Sequence, residues 1–509
     1  MKEGHLRAVL IILSLMGVAL ILMGTSRYGA GVSPDAVNYI SVAKSLLSGN
    51  GYLLYGGAPL VLAPPLFPTI LALLGLIGIE PLIGARFLNA IIFGSIILIS
   101  GRLFRIYVRS NMLVMLGAVA VLLSVPLLQV SIMAWTEPLF ILLVVLFFFC
   151  LQRLLSEARV FPFFLISVLA ALSCLQRYAG IALVMTGFVI IIFSVPKNIF
   201  LHKLKCGIIF CAVSCTPIFI WFIRNYIFTS TLTGYRPLSS YTLRQNIFSM
   251  LDVLTNWFVP HEIPFLIRVA GMGLIVSALA ILILFSRYSL KRHDEERVER
   301  PWAEGVFVLV YLIFLIFSQT RFTLQLVDYR YLAPVYIFII LFMLVGAEDI
   351  SCWWNARVKN KKPVDRIIIF AFCFWLIYPF VGVVSRVSDY IKNGAGGYNT
   401  VAWRESPLVE WLKTHPLDGT IYSNAADAVY FFTNRKAQWS PFRSGSWTAE
   451  SKREDLLRFK ETLTLDKKAY LVWFDIGERG MLYDIRDLRS AIELKRVTVF
   501  TDGAVYLLK

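Results

Sequence analysis

Charge is scarce in this 509-residue chain: 16% of residues are Asp, Glu, Lys or Arg, against 58% apolar. A soluble domain carries about 25% charged and 45–50% apolar residues. A wholly soluble protein, a disordered chain and a collagen-like repeat are therefore excluded. Cysteine is sparse too: seven residues, all in or beside apolar segments and none in the last 125 positions. They show no metal-ligand spacing and no disulfide framework, so packing is their default role. The chain has no internal repeat and no low-complexity tract. With a mean hydropathy of +0.71, what remains is a polytopic membrane protein.

Acids are scarcer than bases. The net charge is +17, but residues 1–384 hold 30 Lys and Arg against 16 Asp and Glu, whereas residues 385–509 hold 19 against 16. The excess sits in the apolar part, where topology signals explain it better than a nucleic-acid footprint. No nucleic-acid partner is expected.

Apolar segments near the length of a span lie at about 6–26, 82–101, 112–132, 138–152, 160–176, 179–195, 206–223, 263–286, 303–319, 331–347 and 366–384. One further run, Pro64 to Ile79, is short and opens on two prolines. If it lies at the outer surface and the N-terminus is cytoplasmic, inner loops collect 20 basic residues against ten outside. If it crosses, most later clusters move outside, against the positive-inside rule. The expectation is about 11 spans in the plasma (inner) membrane, with the N-terminus cytoplasmic and the C-terminus outside. The first outer loop, 27–81, then holds an amphipathic helix near 35–48, glycine turns and a flat helix at 64–79.

After Asn393-Gly-Ala-Gly-Gly397 the pattern changes. Helices near 405–414, 425–432, 450–463 and 482–490 alternate with strands at 419–423, 469–475 and a closing pair at 494–508. This predicts a small α/β sandwich over 385–509, a separate extracytoplasmic domain. It contains no GxGxxG or Walker A pattern, so it is not read as a nucleotide site.

Ionisable groups at a membrane are functional hypotheses by default, because burying them is costly. Two of six outer acids have distinctive settings. Asp35 follows Ser33-Pro34 just after the first span, with Tyr39 one turn on. It reads as a general base facing the membrane, although Ser33 or Asp35 equally suits a helix cap. Glu137, in Ala134-Trp-Thr-Glu-Pro-Leu139, reads as a second acid that orients an acceptor or tunes the first, or again as a cap. Arg177-Tyr178, Arg224-Asn225-Tyr226 and Asp328-Tyr329-Arg330-Tyr331 put three guanidinium groups at outer span ends. They suit either interfacial anchoring or bidentate phosphate binding. His261-Glu262 precedes Pro264 at a helix entry and reads as a cap or surface pair.

Taken in order, Pro34-Asp35 with Tyr39 and Ala43, Ser48-Gly-Asn-Gly-Tyr52, Pro64-Pro-Leu-Phe-Pro68, Ala85-Arg86, Gly101-Arg-Leu-Phe104, Thr136-Glu-Pro-Leu139, Arg177-Tyr-Ala-Gly180 and Arg330-Tyr-Leu-Ala-Pro334 form a series. It resembles the GT-C fold, polyprenyl-phosphate-sugar-dependent glycosyltransferases, in their protein-O-mannosyltransferase and aminoarabinose-transferase-like branch. The resemblance covers about residues 5–345 and implies a GT-C-like catalytic domain over 1–384. It implies a catalytic Asp at Asp35, a second acid at Glu137, and two flat helices in the first loop. It also implies a lipid-monophosphate sugar donor whose phosphate is held near Arg177 and Arg330, and inversion at the anomeric centre. Relatives that need a divalent ion often carry an acidic pair around the first Asp; this sequence lacks one, so a metal-independent reaction with no cofactor is favoured.

The expected function is an inverting glycosyltransferase that moves a sugar from a polyprenyl-monophosphate carrier to a hydroxyl acceptor on a protein, glycolipid or polysaccharide. Asp35 and Glu137 are the expected catalytic acids. Tyr39, Arg177, Tyr178, Arg224, Arg330 and Tyr331 are the expected substrate contacts. A secondary transporter or lipid flippase is the main rival, disfavoured because no inverted repeat is visible and the charges gather at span ends. A non-catalytic envelope scaffold is the second.

Overall fold

The computed structural model describes residues 3–157, 160–194, 200–236, 238–274, 300–322, 325–357, 363–443, 454–465, 468–477 and 479–508. Seven helices are long and apolar enough to cross a membrane: Glu3–Gly24, Pro81–Tyr107, Glu137–Leu155, Leu201–Thr229, Trp302–Arg321, Tyr329–Asn355 and Val364–Asn393. An eighth is formed by Asn111–Leu122 and Val125–Ile132 if that pair, bent by 44°, is one span. The bend has a local cause. Ser124 Oγ accepts the Leu127 N–H at 3.3 Å and Pro126 sits in the new first turn, so the helix restarts instead of continuing.

The chain is thus a multi-pass membrane protein, with seven or eight long spans among the described residues; about eleven were expected over the whole chain. The runs at 160–176 and 179–195 form the shorter apolar helices Pro162–Gln176 and Tyr178–Phe193. Of the run at 263–286 only Phe265–Leu274 lies within the described residues. The proline-led run forms an 11-residue helix, Leu66–Leu76. At 1.5 Å per residue it reaches about 16 Å, roughly half the hydrocarbon thickness.

The amphipathic helix of the first loop runs Pro34–Leu47. Ser33 Oγ accepts the Ala36 N–H at 3.3 Å and Pro34 occupies the first turn, so the capping reading of Ser33 holds. Tyr39 meets Phe67 edge-to-face at 5.6 Å, joining this helix to Leu66–Leu76.

In the C-terminal region five strands, β1 (Thr420–Ser423), β2 (Gln438–Trp439), β3 (Ala469–Phe474), β4 (Leu494–Phe500) and β5 (Gly503–Leu508), form one sheet in the order β2-β1-β3-β5-β4. β1 is parallel to β2 and β3, while β5 is antiparallel to β3 and β4. Alternation along each strand splits the side chains between two layers. Ile421, Tyr470 and Val472 join the main core with helices Pro407–Thr414 and Ala426–Thr433. Tyr422, Leu471 and Tyr506 pack with Phe459 and Leu488 from helices Glu454–Leu465 and Ile485–Ala491 on the other face.

This region is stitched to the first loop. The last span runs unbroken to Asn393, past the boundary expected at 384. The glycine stretch then folds against residues 30–32: Val32 N–H donates to the Gly396 carbonyl at 3.2 Å and Tyr398 N–H to the Val32 carbonyl at 2.8 Å. Asn399 Nδ2 donates to the Ala30 carbonyl at 2.6 Å. Gly397 has φ +58°, and a Cβ there would lie 2.0 Å from the Val32 oxygen, so both handedness and space require glycine. Tyr28 donates to Glu405 at 2.7 Å, and Tyr55 stacks on Tyr430 at 4.9 Å.

Candidate active site

Four charged side chains from four segments converge. Asp35 comes from the first turn of helix Pro34–Leu47 and Glu137 from the start of a span. Arg177 lies in the break between two short helices, and Arg330 in the first turn of Tyr329–Arg357. Arg330 Nη1 donates to Asp35 Oδ2 at 2.7 Å, while its Nε donates to Glu137 Oε1. Arg177 Nη1 pairs with the same Glu137 oxygen and donates to Thr136 Oγ1 at 2.8 Å.

Exposure separates the two acids. The Glu137 side chain is 1% exposed and the two arginines 14% and 18%, whereas Asp35 is 47% exposed. A carboxylate so buried is stable as an ion only because two guanidinium groups face it. Asp35 is the acid that a solute can reach.

Trp135 steadies the arrangement, and the sequence reading overlooked it although it stands two residues before Glu137. The Arg330 guanidinium lies 4.2 Å from the centre of its ring, and its Nε1–H donates to Ser33 Oγ at 2.7 Å. One indole therefore ties the Arg330 guanidinium to the cap of the helix that carries Asp35. Asp328 Oδ1 accepts the backbone N–H groups of Arg330 and Tyr331 at 2.9 and 3.3 Å, fixing the helix start on which Arg330 sits. Burial raises the Asp328 carboxyl above its ordinary range. Tyr39 is buried one turn from Asp35, and burial, reinforced by the Asp35 charge, raises its hydroxyl so that it stays protonated. Tyr331 is half-buried and its carbonyl accepts from the Tyr311 hydroxyl at 2.8 Å.

Two expected contacts are not in this cluster. Arg224 Nη1 donates to the Leu60 carbonyl at 2.6 Å and Nη2 to the Tyr52 carbonyl at 3.3 Å, with its guanidinium 4.6 Å from the Trp221 ring centre. Tyr178 donates to the Val61 carbonyl at 2.7 Å. Arg236, a lone residue with no motif to mark it, donates to the Leu62 carbonyl at 3.1 Å. Together they hold the 52–62 arm of the first loop instead of meeting the acids. His261 and Glu262 are exposed, and His261 Nε2 lies 4.0 Å from Asp252, away from the cluster.

A cavity of about 480 Å³ opens beside the cluster, lined by Ser33, Pro34, Trp135, Tyr329, Tyr398 and Arg479 among others. Its walls come from the first loop, the start of the Arg330 helix and the C-terminal region.

The sequence matches no protein-family model and no curated protein. The structure is similar to that of ArnT from Cupriavidus metallidurans bound to undecaprenyl phosphate, with a TM-score of 0.61 at 12% identity, covering 99% of this chain and 98% of that one. It is also similar to the oligosaccharyltransferase AglB from Archaeoglobus fulgidus, in complex with an inhibitory peptide and a dolichol-phosphate (TM-score 0.53, 14% identity, 93% of this chain and 70% of that one). The arabinofuranosyltransferase AftD from Mycobacteria gives 0.52 at 15% identity, over 99% of this chain and 40% of that one. The fold is the GT-C fold that the sequence resemblance implied.

Proposed function

We propose, from this fold and the Asp35–Arg330–Glu137–Arg177 cluster, that the chain is an inverting glycosyltransferase. It moves a sugar from a polyprenyl-monophosphate carrier to a hydroxyl acceptor at the extracytoplasmic face. The observation that carries the reading is Asp35, half-exposed beside a cavity and bound to a guanidinium that shares a buried acid with a second guanidinium. The carriers bound by the similar ArnT and AglB structures are polyprenyl-type phosphates, which agrees with a lipid-borne donor here.

In this mechanism Asp35 takes the proton of the acceptor hydroxyl as its oxygen attacks the anomeric carbon. The bond from that carbon to the phosphate oxygen breaks, and the carrier phosphate leaves as an anion. Arg330 and Arg177 stabilise the charge that develops on it. Glu137 is a positioning residue: it aims both guanidinium groups and does not meet substrate. The same geometry couples the two halves of the reaction. Arg330 holds Asp35 in an ion pair until a donor phosphate competes for Nη1, which leaves the Asp35 oxygen open to the acceptor hydroxyl. Tyr39 and Tyr331 line the approach. Arg224, Arg236 and Tyr178 hold the loop arm, and the C-terminal α/β region caps the groove and helps select the acceptor. The positive charge that a divalent ion would bring is supplied by the two arginines.

The test is turnover by the purified full chain with a polyprenyl-phosphate sugar and candidate acceptors, wild type against Asp35→Asn. Loss of turnover by about 10²–10⁴-fold is expected for a general base. Retained turnover removes Asp35 from that role, and lipid movement without bond cleavage replaces the reading with transport.

A further inference from the structure

A second cavity, of about 350 Å³, lies at the opposite end of the first spans. Its wall is made where the start of Glu3–Gly24 meets the ends of Pro81–Tyr107 and Glu137–Glu157. Arg7, Arg102, Arg105 and Arg153 surround it over an apolar floor of Leu6, Leu10 and Phe149, with Glu3 as the one acid among its described lining residues.

The four cations are not equally committed. Arg7 pairs with Glu3 at 2.7 Å. Arg105 Nη1 donates to the carbonyls of Val108 and Arg109 at 3.0 and 2.7 Å, closing the end of its own helix. The Arg153 guanidinium rests 5.1 Å from the Phe149 ring centre. Arg102 is exposed and makes no hydrogen bond or ion pair with any described residue. Among the described lining residues, four guanidinium groups stand against one carboxylate. Topology requires basic residues at span ends, but it does not require four from three helices to converge on one apolar-floored hollow.

We propose that this cavity is a binding site for the phosphodiester headgroup of an anionic glycerophospholipid. Guanidinium forks match phosphate oxygens, and basic pockets between spans take anionic headgroups. The surroundings favour a lipid over a soluble anion. The outward face of Glu3–Gly24 exposes Ile11, Ile12, Leu15 and Met16, so acyl chains lie along the helix whose end forms the cavity rim, and Leu6 and Leu10 continue that apolar surface inward. Arg102 is the primary contact and Arg153 the second, with Arg7 and Arg105 shaping the potential.

The experiment is native mass spectrometry of the full-length protein exchanged from phosphatidylcholine vesicles doped with phosphatidylglycerol, with thermal melts in the same lipids. Wild type is expected to retain phosphatidylglycerol over phosphatidylcholine. Arg102→Gln, a change at an exposed side chain with no partner among the described residues, is expected to weaken that retention about fivefold, and Arg102→Ala with Arg153→Ala about twentyfold. Arg102→Lys with Arg153→Lys keeps most of it. Removing equal charge elsewhere, with Lys203→Ala and Lys205→Ala, should leave it unchanged. Equal loss in that control reduces the site to diffuse surface charge and overturns the proposal. So does equal retention of phosphatidylcholine, or inorganic phosphate alone raising the melt and displacing the lipid. None of these readouts depends on glycosyl transfer.

Discussion

Arg330 binds Asp35 across 295 residues of sequence, Nη1 to Oδ2 at 2.7 Å, while the same guanidinium holds Glu137 through Nε. One side chain is therefore shared between an acid that solvent reaches and an acid that it does not. This sharing assigns different work to two carboxylates that look alike in sequence, and it yields the predictions that follow.

Asp35→Asn and Glu137→Gln should fail in different ways. Asp35 is half-exposed, so its replacement removes a base at little structural cost; turnover should vanish while the thermal midpoint holds. Glu137 is buried between two cations. Neutralising it leaves uncompensated charge, and breaking a buried pair in this way costs about 3–5 kcal/mol. A lowered melting temperature is expected for Glu137→Gln, read by differential scanning in detergent. A variant pair with the reverse pattern would exchange the roles assigned here.

Arg330→Lys keeps the charge but not the fork. An ammonium cannot reach both carboxylates while lying flat on Trp135, where the guanidinium sits 4.2 Å from the ring centre. Turnover should fall about 10²-fold, as for loss of one preorganised donor, with a smaller change in stability because Arg177 still pairs with Glu137. Steady-state kinetics of the detergent-purified variant set this against Arg224→Lys. That substitution disturbs the carbonyl contacts of the loop arm and should act chiefly through donor affinity.

Much of the fold was legible because hydropathy is a property of contiguous residues. Every expected apolar run within the described residues became a helix, and the alternating C-terminal pattern gave four of five strands; β2 has two residues, too few to show a period. Long-range pairing was not legible. Arg177, Arg224 and Arg330 share a similar signal, an arginine within two residues of a tyrosine, yet only two face the acids, a distinction made by packing between distant segments. Glu137 was recognised as distinctive, but nothing local revealed that two cations would bury it. Arg386 and Asp389 make the sequence polar beyond 384, yet the helix continues to Asn393.

At the entry to the sheet, Asp418 accepts from Lys468 Nζ at 2.8 Å and from the Tyr470 hydroxyl at 2.7 Å. These bonds, Lys468 first, hold its carboxyl down at about 2. The folded state thus keeps this group ionised more readily than the unfolded chain, whose value is near 3.9. Its contribution is whole above about pH 4 and is lost as pH falls through about 2. Because the pair is solvent-exposed, the effect is small. Asp418→Asn should lie slightly below wild type in melts at neutral pH and meet it at the acid end; a constant offset across that window would contradict the assignment.

The junction between the first loop and the C-terminal region rests on Gly397. Its backbone occupies the left-handed region, and an added Cβ would lie 2.0 Å from the Val32 carbonyl oxygen, the atom that accepts from Tyr398 N–H. Gly397→Ala must therefore move the stretch, at a cost on the order of 1–3 kcal/mol. Val32 directly precedes Ser33, which caps the Asp35 helix and accepts from Trp135, so the displacement should reach the catalytic cluster. The expected outcome is a protein whose long spans stay folded by circular dichroism. Amide exchange should rise at residues 30–36 and 394–400, and turnover should fall with it. Asn434 offers a matched control: it is also left-handed, at φ +55°, and ends the helix Ala426–Thr433. Replacing it with glycine relieves strain locally and should leave both exchange and turnover at the first loop unchanged.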